Sequence, residues 1–137
     1  MTLLHHIPTN KVSEYWPVAE PFIAKAANRY KDNYDLEDVK RSVVDGDAAL
    51  WLVTHDNAPV AALVTSEDVY PKRKVFLIEL VGGKNASMWY YDTVEQLAEI
   101  AKRTGYDAIE STARAGWTKM AKDCGFKEVA TVYEMEL

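Results

Sequence analysis

The spacing of apolar residues predicts two helices near the start of the chain. Between residues 12 and 30 apolar positions recur at near-helical intervals, and we expect a helix over residues 17–30 with Pro17 and Pro21 near its start. Asp35 precedes a leucine and two acids, which is typical of an N-cap. Three valines between residues 39 and 44 give the following segment an apolar face, so it predicts a second, short helix.

Apolar runs then predict three strands. Residues 49–54 and 60–65 flank a turn that contains Asp56 and Asn57, and together they predict a hairpin. Residues 74–81 are apolar almost throughout, which is typical of a strand covered on both faces. We therefore place the centre of the sheet at this third strand.

A helix and a parallel strand are predicted next. The run Gly82-Gly83-Lys84-Asn85 predicts a loop, and Ser87 is placed to cap a helix that Thr104-Gly105 closes. Residues 106–110 have the pattern of a strand. Because a strand, a crossover helix and a strand follow in this order, we expect a parallel pair with a right-handed connection.

The last part of the chain predicts a short helix and a final strand. One helical face carries Trp117, Met120, Ala121 and Cys124. Residues 128–137 alternate in the manner of a strand. The predicted order is ααβββαβαβ, an α/β (α+β) class, and the 137 residues fit a single domain over 1–137.

Composition narrows the class of protein. Hydrophobic residues make up 48% and charged residues 27%, as in a globular protein. The 16 basic and 21 acidic side chains give a net charge of −5, and we expect no nucleic-acid partner. No stretch has the length of a membrane span or the pattern of a signal peptide, and the single cysteine, Cys124, fits a reducing compartment. These features predict a cytoplasmic protein with no membrane partner.

Histidine and cysteine do not combine into a metal site in the sequence. Zinc sites need three or four ligands at recognisable spacing, and His5, His6, His55 and Cys124 do not supply it. We expect no bound metal.

Several short motifs occur in an informative order along most of the chain. They are Tyr34-Asp35-Leu36-Glu37-Asp38-Val39, Leu50-Trp51, Gly82-Gly83, Arg114-Ala115-Gly116-Trp117 and Gly125-Phe126. With the predicted element order they resemble the GNAT acetyltransferase superfamily, and more narrowly the small GNAT-like proteins encoded by tailed bacteriophages. The resemblance implies a GNAT-like mixed, mostly antiparallel sheet with a central parallel splay and helices on both faces. It also implies location in the host cytoplasm if the protein is phage-encoded.

The resemblance also implies a coenzyme site. In that superfamily the strand before the loop splays from its neighbour and binds the pantetheine arm of acetyl-CoA, while amides at a helix N-terminus hold the pyrophosphate. By position, Leu80 and Val81 correspond to the arm-binding residues. The residues around the phosphates are Gly82, Gly83, Lys84, Asn85, Ala86 and Ser87. An amine-bearing acceptor is the implied second substrate.

Two positions depart from the superfamily pattern. Its phosphate loop reads Gln or Arg, two residues, Gly, one residue, and Gly or Ala, and counting from Val81 places Ser87 and Trp89 at the last two of these positions. A Trp89 ring turned toward the phosphates would obstruct them. Ala121 stands where the superfamily often has a tyrosine acid, and no motif places Tyr133 or Cys124 in that role.

Glu79 is the candidate catalytic residue, because it interrupts an apolar strand and resembles in placement the general base of some GNAT enzymes. The alternative is a structural pair with a neighbouring Lys or Arg. Glu110 is a second, weaker candidate. Arg114 is either a ligand for phosphate or carboxylate or a solvated side chain, whereas Trp117 fits the core.

Two functions therefore remain open from the sequence. The first is an acetyl-CoA-dependent N-acetyltransferase. The second is a non-enzymatic GNAT-like phage protein, acting in virion assembly or host-protein binding, whose coenzyme cleft is filled. An exposed part of the Trp89-Tyr90-Tyr91 cluster would provide a contact surface for a protein partner.

Overall fold

The computed structural model describes residues 1–30 and 32–137 and contains one five-stranded sheet. The strands, which follow chain order across the sheet, are β1 (Thr2–Ile7), β2 (Ala49–His55), β3 (Ala58–Val69), β4 (Lys74–Gly83) and β5 (Ala108–Ser111). The first three pairings are antiparallel, and β4 pairs with β5 in parallel. The predicted mixed α+β class, the hairpin and the parallel pair are confirmed.

Helices cover both faces of the sheet. They are α1 (Val12–Arg29), α2 (Leu36–Val44), α3 (Ala86–Arg103) and α4 (Thr118–Asp123), with 3₁₀ turns at Thr9–Lys11 and Ala115–Trp117. One core cluster joins α1 and α2 to one face of the sheet, and Leu50 and Leu52 contribute to it. The other cluster joins α3 to the opposite face, where Trp51 and Val53 point. The alternation along β2 thus divides its side chains between two cores.

The beginning of the chain differs from the prediction. Strand β1 pairs with β2 over its whole length but was not predicted, since its exposed histidines blur the alternation. Helix α1 begins at Val12 and contains both Pro17 and Pro21. Both prolines are exposed, so the helix carbonyls that lose their N–H donors remain in contact with water.

Local capping and turn geometry follow the sequence closely elsewhere. The Asp35 side chain accepts a hydrogen bond from the amide of Glu37 at 3.0 Å, which confirms the predicted N-cap of α2. The hairpin turn between β2 and β3 is formed by Asp56 and Asn57, whose φ values are 50° and 69°.

The predicted final strand is wrong. Helix α4 ends at Asp123; Gly125 follows with φ 96°, and the amide of Phe126 donates to the carbonyl of Ala121 at 3.0 Å. Beyond this Schellman-type turn, residues 127–137 form no strand and take part in no backbone–backbone hydrogen bond with the rest of the described chain. The observed order is therefore βααβββαβα, β3 rather than β4 is the middle strand, and the parallel pair lies at the sheet edge.

Within the described residues, no helix has the length and apolar character required to cross a membrane.

Candidate active site

A bulge in β4 positions Glu79. Along the β3–β4 ladder Val64 pairs with Leu80 but Thr65 pairs with Ile78, so Glu79 is the extra residue on β4. The bulge also changes the face on which the following residues lie. Ile78 packs in the α3 cluster, whereas Leu80 packs in the α1 cluster.

A cleft opens where β4 and β5 separate. Their pairing ends at Ile78 and Ser111, while β4 continues for five more residues. Within the described chain no strand pairs with this last part of β4 on the β5 side. The cleft is lined by residues of α1, by residues 78–83 of β4 and by residues 111–114 with Trp117, and it encloses about 60 Å³. It is narrow.

The cleft is positively charged although the chain is acidic. Lys25, Arg29 and Arg114 line it. Among the described residues, none of these three side chains forms an ion pair. Lys25 Nζ lies 3.3 Å from the carbonyl oxygen of Gly83. Unpaired cations beside a narrow opening raise the local concentration of anions.

Glu79 lines this cleft and is held by two hydroxyl groups. Its Oε1 accepts a hydrogen bond from Ser66 Oγ at 2.5 Å, and its Oε2 accepts one from Tyr34 Oη at 3.0 Å. Burial, followed by the interaction with Glu79, raises the pKa of Tyr34 to about 12, so its phenol stays a donor at neutral pH. Among the described residues, no Lys or Arg forms an ion pair with Glu79.

Gly82 and Gly83 do not form the predicted loop or turn. They are the last residues of β4, and neither has a positive φ. A Cβ at Gly82 would lie 2.1 Å from the carbonyl oxygen of Phe22 in α1. A Cβ at Gly83 would lie 2.6 Å from Ala61 Cβ in β3. The pair therefore permits α1 and β3 to approach the end of β4.

The N-terminus of α3 follows directly after the cleft. Its N-cap is Asn85, with φ 53° and ψ 57°, so the prediction that Ser87 caps the helix is wrong. No side chain in the described chain caps this end. The amides of Ala86 and Ser87 donate no hydrogen bond to any described residue. Such unsatisfied amides, together with the helix dipole, favour an anion.

Trp89 points into the core. Its side chain is only 1% exposed, its Nε1 donates to the carbonyl of Lys84 at 2.8 Å, and its ring lies 6.2 Å from that of Trp117. Lys84, Asn85 and Ser87 remain exposed. The indole thus supports the loop before α3 from beneath and leaves its outer surface open.

The other predicted residues lie in different parts of the structure. Leu80 and Val81 line the cleft, and Arg114 is exposed at its border. Glu110 instead pairs with Arg73 at 3.0 Å. Cys124 lies beside the outer edge of β5, and Tyr133 is 90% exposed in the C-terminal segment. Neither replaces the tyrosine acid whose position Ala121 occupies.

Sequence reasoning missed five residues of the site: Lys25, Arg29, Tyr30, Tyr34 and Ser66. The four-residue spacing of Lys25 and Arg29 on the polar side of α1 was a usable signal, because it predicts two cations on one helical face. Ser66 had no such signal, since its contact with Glu79 depends on the bulge.

The histidines take part in local hydrogen bonds. His55 Nδ1 lies 2.8 Å from Thr2 Oγ1, and His5 Nε2 lies 2.9 Å from Thr54 Oγ1. In residues 1–30 and 32–137, no group of three or more His, Cys, Asp or Glu side chains is arranged to hold a metal ion.

Solved acetyltransferase structures share this fold. The ribosomal-protein-alanine N-acetyltransferase of Brucella melitensis biovar Abortus 2308 has a TM-score of 0.71 and 11% identity, covering 100% of this chain and 99% of that one. An aminoglycoside acetyltransferase from an uncultured soil metagenomic sample gives 0.68 and 14%, covering 100% and 99%. A Trypanosoma brucei acetyltransferase gives 0.65 and 11%, covering 100% of both chains.

No protein-family model and no curated protein sequence matches the chain. At these identities the structural likeness establishes the fold, which is that of the GNAT acetyltransferases.

Proposed function

We propose that this chain is an acyl-CoA-dependent N-acyltransferase that transfers an acetyl group to an amine. The observation that carries the proposal is the continuity of two binding features. The partner-free edge of β4 at residues 79–83 leads directly into the uncapped N-terminus of α3. Three cations that form no ion pair within the described chain, Lys25, Arg29 and Arg114, border the same path.

The shape and chemistry of this path fit coenzyme A. A pantetheine arm is a thin chain with amide groups, and such a chain can hydrogen-bond to a strand edge as an added strand does. Leu80, Val81, Gly82 and Gly83 would hold the arm in the narrow cleft. The exposed loop and helix start, Lys84, Asn85, Ala86 and Ser87, would hold the phosphates, because their amides and the Lys84 ammonium attract anions.

Glu79 is the proposed general base. When bound, acetyl-CoA supplies a thioester carbon that an amine nitrogen can attack. Glu79 accepts the proton that the amine loses, directly or through a water, while Tyr34 and Ser66 keep the carboxylate in place. A thiol of ordinary pKa, about 8.5, is a competent leaving group, so transfer does not depend on a hydroxyl at Ala121.

The rival function is a non-enzymatic binding protein with the same fold. It requires a filled coenzyme cleft, and the position of Trp89 argues against it because the indole lies in the core. The rival includes a role in phage particles or in binding a host protein. It would gain support if the coenzyme fails to bind.

Isothermal titration with acetyl-CoA tests the proposal. We expect a dissociation constant between about 1 μM and 1 mM, the range of ordinary enzyme substrates. Arg114→Ala should weaken binding about tenfold, because it removes a charged hydrogen-bond donor from the cleft. Arg103→Ala, at the far end of α3, is the matched control and should leave affinity unchanged. An absence of heat at millimolar acetyl-CoA would overturn the proposal in favour of the rival.

A further inference from the structure

An open groove lies along the outer edge of β5, on the side away from the candidate active site. It encloses about 440 Å³, and α3, β5 and the end of α4 line it. Its apolar lining includes Val94, Ala98, Ala101 and Ile109. Within the described chain β5 pairs only with β4, so the backbone groups on its outer edge have no strand partner. A partner-free edge beside an apolar groove is a template for an added strand.

The C-terminal segment, residues 127–137, has the pattern that such a groove requires. One face of its alternation carries Val129, Thr131, Tyr133, Met135 and Leu137. Its apolar side chains are left in solvent, with Val129 69%, Tyr133 90% and Met135 83% exposed. The segment thus presents an apolar strand face for which one copy of the chain provides no cover in its described residues.

We propose that the C-terminal segment of a second copy binds in this groove as a sixth strand, and that the two copies exchange their segments reciprocally. The exit from α4 favours exchange over pairing within one chain. Phe126 lines the groove together with Tyr106 and Ala108, so the segment starts near the N-terminal end of β5. A segment that began there and paired with its own β5 would run parallel to it. A second copy can supply an antiparallel strand, which is the more stable pairing.

Charge and symmetry support the same occupant. The segment carries Glu128, Glu134 and Glu136 against one cation, Lys127. Lys102 lines the groove and Arg103 follows it, and neither forms an ion pair among the described residues. The acid in the lining, Asp107, accepts a hydrogen bond from the amide of Lys74 at 2.9 Å. Reciprocal exchange covers both partner-free edges and both apolar segments in a closed dimer.

Light scattering on the full-length protein after size exclusion tests the exchange. We expect twice the chain mass of 15.5 kDa. Val129→Glu should weaken dimerisation at least tenfold, because it puts a charge on the buried face of the strand. Ala130→Glu is the matched control: it adds the same side chain one position along, on the opposite face, and should leave the dimer intact. Both variants should retain wild-type circular dichroism, since residues 129 and 130 are exposed in the single chain.

Hydrogen exchange distinguishes the remaining outcomes. A dimer whose amides at residues 129–135 exchange slowly supports the proposal. A monomer with the same slow amides would show that the segment folds onto its own β5, and a monomer with fast amides would show that it binds nothing. Both overturn the proposal. A dimer that survives Val129→Glu, or dissociates equally with Ala130→Glu, also overturns it.

Discussion

The two sides of β5 provide opposite environments. On the β4 side the cleft encloses about 60 Å³ and carries three cations and one carboxylate held by two hydroxyls. On the outer side the groove encloses about 440 Å³ and is lined mostly by apolar side chains, with one lysine and one aspartate. A narrow, charged cleft suits a thin anionic ligand, whereas a wide apolar groove beside a partner-free strand edge suits a polypeptide segment.

Local sequence features cause this difference. The cleft is narrow because Gly82 and Gly83 admit α1 and β3 to close range, and it is polar because the bulge presents Glu79. The groove is open because the four-residue β5 has no further strand beside it in the described chain. One short strand therefore separates a proposed catalytic site from a proposed assembly surface.

The largest expected effect is on catalysis. Glu79→Gln removes the proposed base and keeps an acceptor for one of the two hydroxyls, while the other hydroxyl can accept from the new amide, so acetyl transfer to a panel of small amines should fall by roughly 10² to 10⁴. Glu110→Gln, a carboxylate on β5 that pairs with Arg73, should leave the rate unchanged. Equal rates for the two variants would contradict a base on the cleft side.

The next effect is on packing at the cleft wall. Gly82→Ala would place a Cβ 2.1 Å from the backbone oxygen of Phe22, and should lower the free energy of unfolding by about 3 kcal/mol. Gly116→Ala makes the same change where the nearest atom, Arg114 Nη1, is 3.9 Å away, and should change the free energy of unfolding by less than about 0.5 kcal/mol. Urea unfolding of both variants measures the contrast, and equal losses would contradict a clash with Phe22 as the cause.

A smaller effect concerns the hydrogen bond that Tyr34 donates to Glu79. Tyr34→Phe removes this bond and should lower the free energy of unfolding by about 1 kcal/mol. The pKa of Tyr34 is about 12 in the folded protein against an ordinary 10.0, so the unfolded chain releases this proton first as pH rises. The wild-type advantage should be complete below pH 10 and disappear toward pH 12. A stability difference that stays constant over that interval would contradict a half-buried Tyr34 donor.

Features with local causes were predictable from sequence. The capping of α2 by Asp35, the apolar β4 and the β4–α3–β5 crossover depend on neighbouring residues, and all three are confirmed. The bulge at Glu79 was not predictable, because a register shift depends on both strands of a ladder. The prediction of a final strand in the C-terminal segment was wrong for a related reason. Its alternation is that of a strand, but alternation does not say which chain provides the pairing partner.

The most direct test of the central claim is hydrogen exchange with and without saturating acetyl-CoA. We predict that the coenzyme slows exchange at β4 residues 80–83 and at residues 85–87 at the start of α3, while the amides of residues 106–109 beside the groove stay unchanged. Slowing confined to the groove side, or no change at residues 80–87, would contradict a coenzyme site in the cleft.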